Sequence, residues 1–379
     1  MKAAFIYSPW CTAGYKFNFS EDIYSNPRGL TGSEYSFISI ARVLQSRGHD
    51  ISIFMDTTHG PMEWNGIHII PLEHIQDQVN TSNNYDFAIS WNEPNYLRFI
   101  SWKIIRLCNL QINSFEHCLP DYDDFVDIWT SPSESHRQNV GVLTPHFNKW
   151  RVLHNGCDPS SYDTSNKIPG RVIWASSPDR GLHNLLSIWP NVIEAVPHAE
   201  LHIFYKIKNW LDHFVDVNPG YHYTYAESSN RAKYIIECFK RFKKNAKMNV
   251  HLHDSVSRNR IREEFNKAEV LAYPCETMSY TEGFSVSIME ACASGTVPII
   301  TNQDALGELY GGSVQMIETP FGGKEKIYSD MIIETLKNKE TRDKYSNLGM
   351  ELSKQYTWEK ISSDLEKIVL DAKKERGWA

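Results

Sequence analysis

Two glutamates eight positions apart carry most of the chemistry legible in this chain: Glu282 and Glu290, in the segment Thr281-Glu-Gly-Phe-Ser-Val-Ser-Ile-Met-Glu-Ala-Cys-Ala-Ser-Gly295. The apolar run Val270–Pro274 before them reads as a buried strand. Gly295 closes a helix that starts near Ser285, and Val297–Ile300 reads as the next strand. One carboxylate is therefore expected in the strand-to-helix loop. The other lies about one and a half turns inside the helix, roughly 8 Å further along. Between them, the N–H groups of Gly283, Phe284, Ser285 and Val286 have no partner within the helix, and such a helix end attracts phosphate. An ionised carboxylate accepts two donors at once, which suits the hydroxyls of a ribose or a sugar. Ser287 and Ser294, small residues on the helical face of Glu290, are expected to leave room for a ligand. Phosphate in the middle with sugars at both ends describes a nucleotide-sugar.

The elements that must hold this segment alternate between strand and helix. Ala3–Tyr7 reads as a first strand, Ser33–Gly48 has helical spacing, and Ile51–Phe54, Ile67–Ile70, Phe87–Trp91, Leu110–Phe115 and Asp127–Thr130 are strand-like. Such alternation predicts a mostly parallel sheet covered on both faces. The polar, turn-rich stretch from His154 to Pro169 reads as a linker. A second set follows: Arg171–Ala175, a helix near Gly181–Val196, Glu200–Tyr205, a basic helix near Ser229–Lys247, Val250–His253 and Ile261–Lys267. Two such sheets in tandem leave a cleft at the carboxyl ends of their strands, where ligands of open parallel sheets bind.

At 379 residues the chain is too long for one ordinary core, so two domains are the default. The 39 basic against 46 acidic residues, a net charge of −7, argue against a general nucleic-acid binder. No apolar stretch reaches membrane-spanning length, and the start, cut off at Ser8-Pro9, reads as a strand rather than a signal peptide. Seven scattered cysteines without a C-x-x-C pair suggest reduced thiols in a cytosol-like compartment. No histidines fall in a metal spacing such as H-E-x-x-H. The closest, His251-Leu-His253 on a predicted strand, is read as non-ligating. In the basic helix, Ile235, Phe239, Phe242 and Ala246 would make the buried face. A helix of this kind can lie on an anionic membrane, but a solvated face over a sheet is the preferred reading.

With these residues in view, the chain resembles retaining glycosyltransferases of the GT-B fold, especially glycosyltransferase family 4 (group 1), over nearly its whole length. The most specific part is Glu282-x7-Glu290 within EGFSVSIMEACASGTVPII. The resemblance implies an α/β chain of two Rossmann-like doubly wound domains facing a cleft. Residues 1–155 would form an acceptor-side domain, 156–355 a nucleotide-sugar-binding domain, and 356–379 a helix that crosses back, beginning near Tyr356-Thr-Trp358. Glu290 would hold the donor ribose, Glu282 the donor sugar, and Gly283 to Val286 would present amides to sugar and diphosphate. Arg180-Gly181, in Ala175-Ser-Ser-Pro-Asp-Arg-Gly-Leu182, fills the place of a basic residue that pairs with the leaving diphosphate. The companion cation usually found a few positions upstream is missing, with Ser176 and Ser177 in its place; Lys206 is a candidate replacement. Gly32 and Ser33, in Asn26-Pro-Arg-Gly-Leu-Thr-Gly-Ser-Glu34, would face the donor phosphate, although Ser33 is also a good N-cap. His117 falls where relatives place a histidine facing the transferred sugar, and Glu116 could do the same work if the register is displaced.

Weaker matches are Asn155-Gly-Cys-Asp158 as an interdomain turn, Asp254-Ser-Val256 as the loop framing the base, and Glu308 as an acid supporting the donor region. The implied activity is retaining, metal-independent transfer of a hexose from a GDP- or UDP-sugar to a hydroxyl of a glycan, lipid-linked or protein-linked acceptor. The expected setting is cytoplasmic, with peripheral membrane contact allowed; no nucleic acid partner and no cofactor are expected. The competing readings are a nucleotide-sugar-binding protein without transferase activity, motivated by the missing cation, and a GT-B-like sugar-nucleotide epimerase. A dinucleotide-dependent oxidoreductase is disfavoured because no G-x-G-x-x-G follows the first strand.

Overall fold

A computed structural model describes residues 1–12, 14–82, 85–112, 120–142, 144–206, 233, 236–238, 240–245, 247–277 and 279–378. His117, Glu116 and much of the basic helix near 229–247 lie outside the described residues. In its described part, Lys240, Lys243, Lys244 and Lys247 are exposed, while Cys238 and Asn245 are buried.

Strands β1 (Lys2–Tyr7), β2 (Asp50–Met55), β3 (Met62–Trp64), β4 (Ile67–Pro71), β5 (Phe87–Trp91), β6 (Ile105–Asn109), β7 (Ile128–Ser131) and β8 (Trp150–Val152) form one sheet in the order β3-β4-β2-β1-β5-β6-β7-β8. All its pairings are parallel except β3 with the edge strand's neighbour β4. Branched and aromatic side chains fill both faces, as a sheet covered on two sides demands. The second sheet is wholly parallel: β9 (Arg171–Trp174), β10 (Glu200–Phe204), β11 (Val250–His253), β12 (Val270–Tyr273), β13 (Val297–Asn302) and β14 (Gln315–Glu318), ordered β11-β10-β9-β12-β13-β14. The chain reverses direction of winding between β1 and β5 in the first sheet and between β9 and β12 in the second. Crevices open at such points.

Helix Trp358–Glu375 starts at Cys157, where Cys157 N–H donates to the Tyr356 carbonyl at 2.8 Å and Trp358 N–H to the Cys157 carbonyl at 3.1 Å. It then buries Trp358, Ile361, Leu365 and Val369 in the core of the first sheet.

Two sequence expectations are corrected. A strand stands at Ile105–Asn109, ahead of the one expected at Leu110–Phe115; Leu110, Gln111 and Ile112 are not in a strand, although Leu110 N–H still reaches the Thr130 carbonyl, and 113–115 lie outside the described residues. Arg106 broke the apolar pattern that would have marked it. Its charge is satisfied at the sheet end by Asp127, at 3.0 Å. The cap of the first helix, Gly32–Ser46, is Thr31 rather than Ser33, because Glu34 reaches back to the Thr31 N–H and completes a capping box. The short edge strand β3 was not foreseen. It pairs antiparallel through a turn at Asn65-Gly66, both with positive φ.

Candidate functional site

Between the carboxyl ends of the two sheets lies a cavity of about 790 Å³. Its lining includes Glu282, Gly283, Phe284, Ser285, Val286, Glu290, Arg180, Lys206 and Val256 from the second domain, with Gly32 and Ser33 from the first. Residues drawn from positions 32 to 290 thus meet in one place. Of the candidate site residues, only His117 lies outside the described ones.

Helix Val286–Ala293 begins at Ser285 with no side chain capping it, so its first N–H groups stay available to a ligand. The loop before it is pinned from behind. Asp304, held at φ 53°, accepts from the N–H groups of Thr281 at 2.8 Å and Glu282 at 2.9 Å, and Tyr310 Oη donates to the Ser285 carbonyl at 2.7 Å. Glu282 is buried and its Oε1 lies 2.6 Å from Arg180 Nε. Burial pushes the Glu282 carboxyl up and Asp304 adds to this, against the pull of Arg180. Burial disfavours charge on Arg180, but Glu282 and Asp179 outweigh it and hold the guanidinium above its ordinary value. Arg180 Nη1, 3.5 Å from Asp179 Oδ2 in an ion pair, and Thr281 Oγ1 are buried without a hydrogen-bond partner among the described residues. Polar atoms in that state call for a ligand or water.

Glu290 is buried at the other end of the helix start. Tyr162 Oη donates to its Oε1 at 2.6 Å, and Arg258 pairs with the same oxygen. The Arg258 guanidinium also stacks 3.8 Å from the ring centroid of Tyr35, on the first domain. Neither Arg258 nor Tyr162 was picked out from sequence; the only signal is Ser257-Arg258 at the mouth of a helix that Ser257 caps. Ser287 lines the cavity and donates to the Ala175 carbonyl, but Ser294 does not leave room for a ligand. It is fully buried, bonded to the Ala291 carbonyl and to Thr296. The helix turns that face into its own packing one turn after Glu290.

Ser176 and Ser177 line the cavity where a cation was missing. Lys206, at the end of β10, lines it too and has no ion-pair partner among the described residues. Gly181 sits at φ 98°, and a Cβ there would fall 2.0 Å from the Pro274 carbonyl oxygen. Gly181→Ala should therefore lower stability by about 3 kcal/mol or more. Denaturant melts would show it, and a wild-type midpoint would contradict the close approach.

The first domain closes the cavity through backbone. A Cβ on Gly29 would lie 2.5 Å from the Val256 carbonyl oxygen, and one on Gly32 would lie 3.1 Å from Val286 Cγ2. Ser33 accepts from Asn92 Nδ2 at 3.0 Å, at the point where the first sheet reverses. Asn155 also lines the cavity and is held by Gln111 at 2.6 Å. Glu308, expected to support the donor region, is not among the residues lining the cavity. Its two carboxylate oxygens accept from the N–H groups of Glu134 at 2.8 Å and Ser135 at 2.6 Å, clamping the start of a first-domain helix to the second domain. His136 in that helix packs against Gly283, whose Cβ would come 2.8 Å from the ring.

Burial pulls the His136 imidazole down to about 4, despite the Ile112 carbonyl, and pulls His183 to about 4 with help from Arg241. Both rings bind a proton less readily folded than unfolded. Their contribution to stability is thus full above about 6.5 and is lost as pH falls from there towards 4. At about 1.4 kcal/mol per unit each, Tm should drop clearly between pH 7 and 5. His136→Gln should flatten part of that slope; an identical pH profile would contradict a buried neutral ring.

Residues 232–351 match the family described as "Glycosyl transferases group 1". No curated protein matches the chain in sequence. Among solved structures the chain is similar to Anabaena HepE in complex with UDP, at 14% identity and TM-score 0.66 over 98% of this chain and 100% of that one. It is also similar to sucrose-phosphate synthase from Thermosynechococcus elongatus, at 10% identity and TM-score 0.66 over 98% of each. A third similar structure is WaaG, a glycosyltransferase involved in lipopolysaccharide biosynthesis, at 12% identity and TM-score 0.59 over 97% and 99%. At these identities the likeness shows the fold, which is GT-B.

Proposed function

From the premise that this chain is a GT-B glycosyltransferase with a group 1 domain, we propose that it moves a sugar, with retained anomeric configuration, from a nucleotide-diphosphate donor to a hydroxyl of a glycan or glycolipid-type acceptor. The carrying observation is the uncapped start of helix Val286–Ala293, set in the cavity between the sheets with a buried carboxylate on each side. The diphosphate docks on the amides of Ser285 and Val286, between Gly32 and Ser33 on one side and Arg180 on the other. Glu290 takes the ribose hydroxyls. Tyr162 and Arg258 both converge on its Oε1, which leaves Oε2 to accept from the ligand.

Glu282 holds Arg180 in place and reaches the donor sugar. As the sugar–phosphate bond breaks, negative charge grows on the diphosphate, where Arg180, Lys206 and the helix amides stabilise it. These cations are the basis for proposing that no metal is needed for the transfer. The acceptor hydroxyl attacks from the face the diphosphate leaves, and its proton passes to the departing phosphate oxygen. Positioning and charge stabilisation then supply the catalysis, with no side chain acting as a covalent nucleophile. The base framed by Val256 is uracil or guanine; HepE, in complex with UDP, makes UDP the first to test. Calorimetry with UDP, GDP and ADP should show one of the first two binding, and their sugars should release nucleoside diphosphate only when an acceptor is added. Release without acceptor would favour a hydrolase, conversion of the nucleotide-sugar to an isomer without release an epimerase, and binding without turnover on any acceptor a binding protein.

A further inference from the structure

Strands β10 and β11 pair with His202 beside His251, and Glu200 precedes His202 by two residues, on the same face of the sheet. One ligating atom each of Glu200, His202 and His251 lies within 4.8 Å of the others, and His202 Nε2 is 3.1 Å from Glu200 Oε2. We propose that these three side chains bind a zinc ion, outside the donor cleft, with solvent in the fourth position.

Two imidazoles and a carboxylate are a donor set of the kind zinc takes, and three protein ligands leave its fourth place open. Bonds of about 2.0–2.1 Å need ligand atoms roughly 3.3 Å apart. His251 is exposed on β11 and its ring stacks on that of His202, with centroids 4.7 Å apart, so the ion would require it to turn its nitrogen inward by the difference. His202 is buried and preset: its Nδ1 is bonded to His253 Nε2 at 3.0 Å, which orients the ring and directs Nε2 at the ion. Arg171, 3.4 Å from Glu200, opposes a cation, but it is itself paired with buried Glu264 at 3.2 Å. His251-Leu-His253 has no metal spacing of its own; the parallel register of β10 and β11 joins it to Glu200 and His202, some fifty residues earlier. Beyond His253 the chain runs into Ser255 and Val256, which line the donor cavity, so the ion pins the edge strand that carries them.

The test is calorimetric titration of the full chain, stripped with a chelator, with Zn²⁺ alone. One saturable site is expected, with a raised Tm on binding. His251→Gln, at an exposed position that leaves folding intact, and Glu200→Gln should each weaken binding at least tenfold, and His253→Gln severalfold. His68→Gln, a control at an exposed histidine beside Asp50, should not. No saturable binding, or a site indifferent to His251→Gln and Glu200→Gln, would overturn the proposal, as would tighter binding of Mg²⁺ than of Zn²⁺.

Discussion

Replacing Glu290 with Gln should weaken binding of the nucleoside diphosphate by roughly 30- to 1000-fold, the equivalent of about 2–4 kcal/mol for losing charged acceptance of two hydroxyls. Glutamine keeps the side chain's size and can still accept from Tyr162, so the loss reports on charge at the ribose end. The buried pair with Arg258 complicates the single variant, because an unmatched guanidinium in that position itself lowers stability. The double variant Arg258→Gln with Glu290→Gln removes both charges. It should regain stability while staying deficient in donor binding. Calorimetry on both variants separates the two effects, and wild-type affinity in the double variant would remove Glu290 from the donor site.

Arg180→Gln should leave donor affinity within about tenfold and cut turnover by about 100- to 1000-fold, the scale seen when a preorganised donor to developing charge is lost. Arg180 already neutralises Glu282 at 2.6 Å, so its removal leaves a buried carboxylate with a raised pKa, and the variant must be checked for folding. Arg180→Lys keeps the charge but loses the planar fork, so it should recover part of the rate. Equal losses in affinity and turnover would assign Arg180 to ground-state binding instead of the leaving group.

Much of this was legible because it sits on contiguous chain. Glu282, the free amides and Glu290 share one strand–loop–helix unit, whose periodicity and closing Gly295 are local signals. Arg180 and Gly181 follow a strand in the same way. What sequence did not disclose depends on contacts between distant segments. Arg258 meets Glu290, Asp304 fastens the loop at Thr281 and Glu282, and Glu308 caps a helix of the other domain. The strand at Ile105–Asn109 was missed because a buried-strand pattern does not anticipate Arg106, whose cost is offset by Asp127 twenty-one residues on. Thr31 displaced Ser33 as cap since either hydroxyl satisfies the local rule, and only the reach of Glu34 decides between them.

Donor binding centres on a diphosphate at the start of helix Val286–Ala293. Its most direct test is a crystal structure of the chain with UDP or GDP, whichever binds. The phosphates should lie within hydrogen-bond distance of the Ser285 and Val286 N–H groups, with the ribose hydroxyls on Glu290. A nucleotide ordered elsewhere, with that helix start facing only solvent, would contradict it.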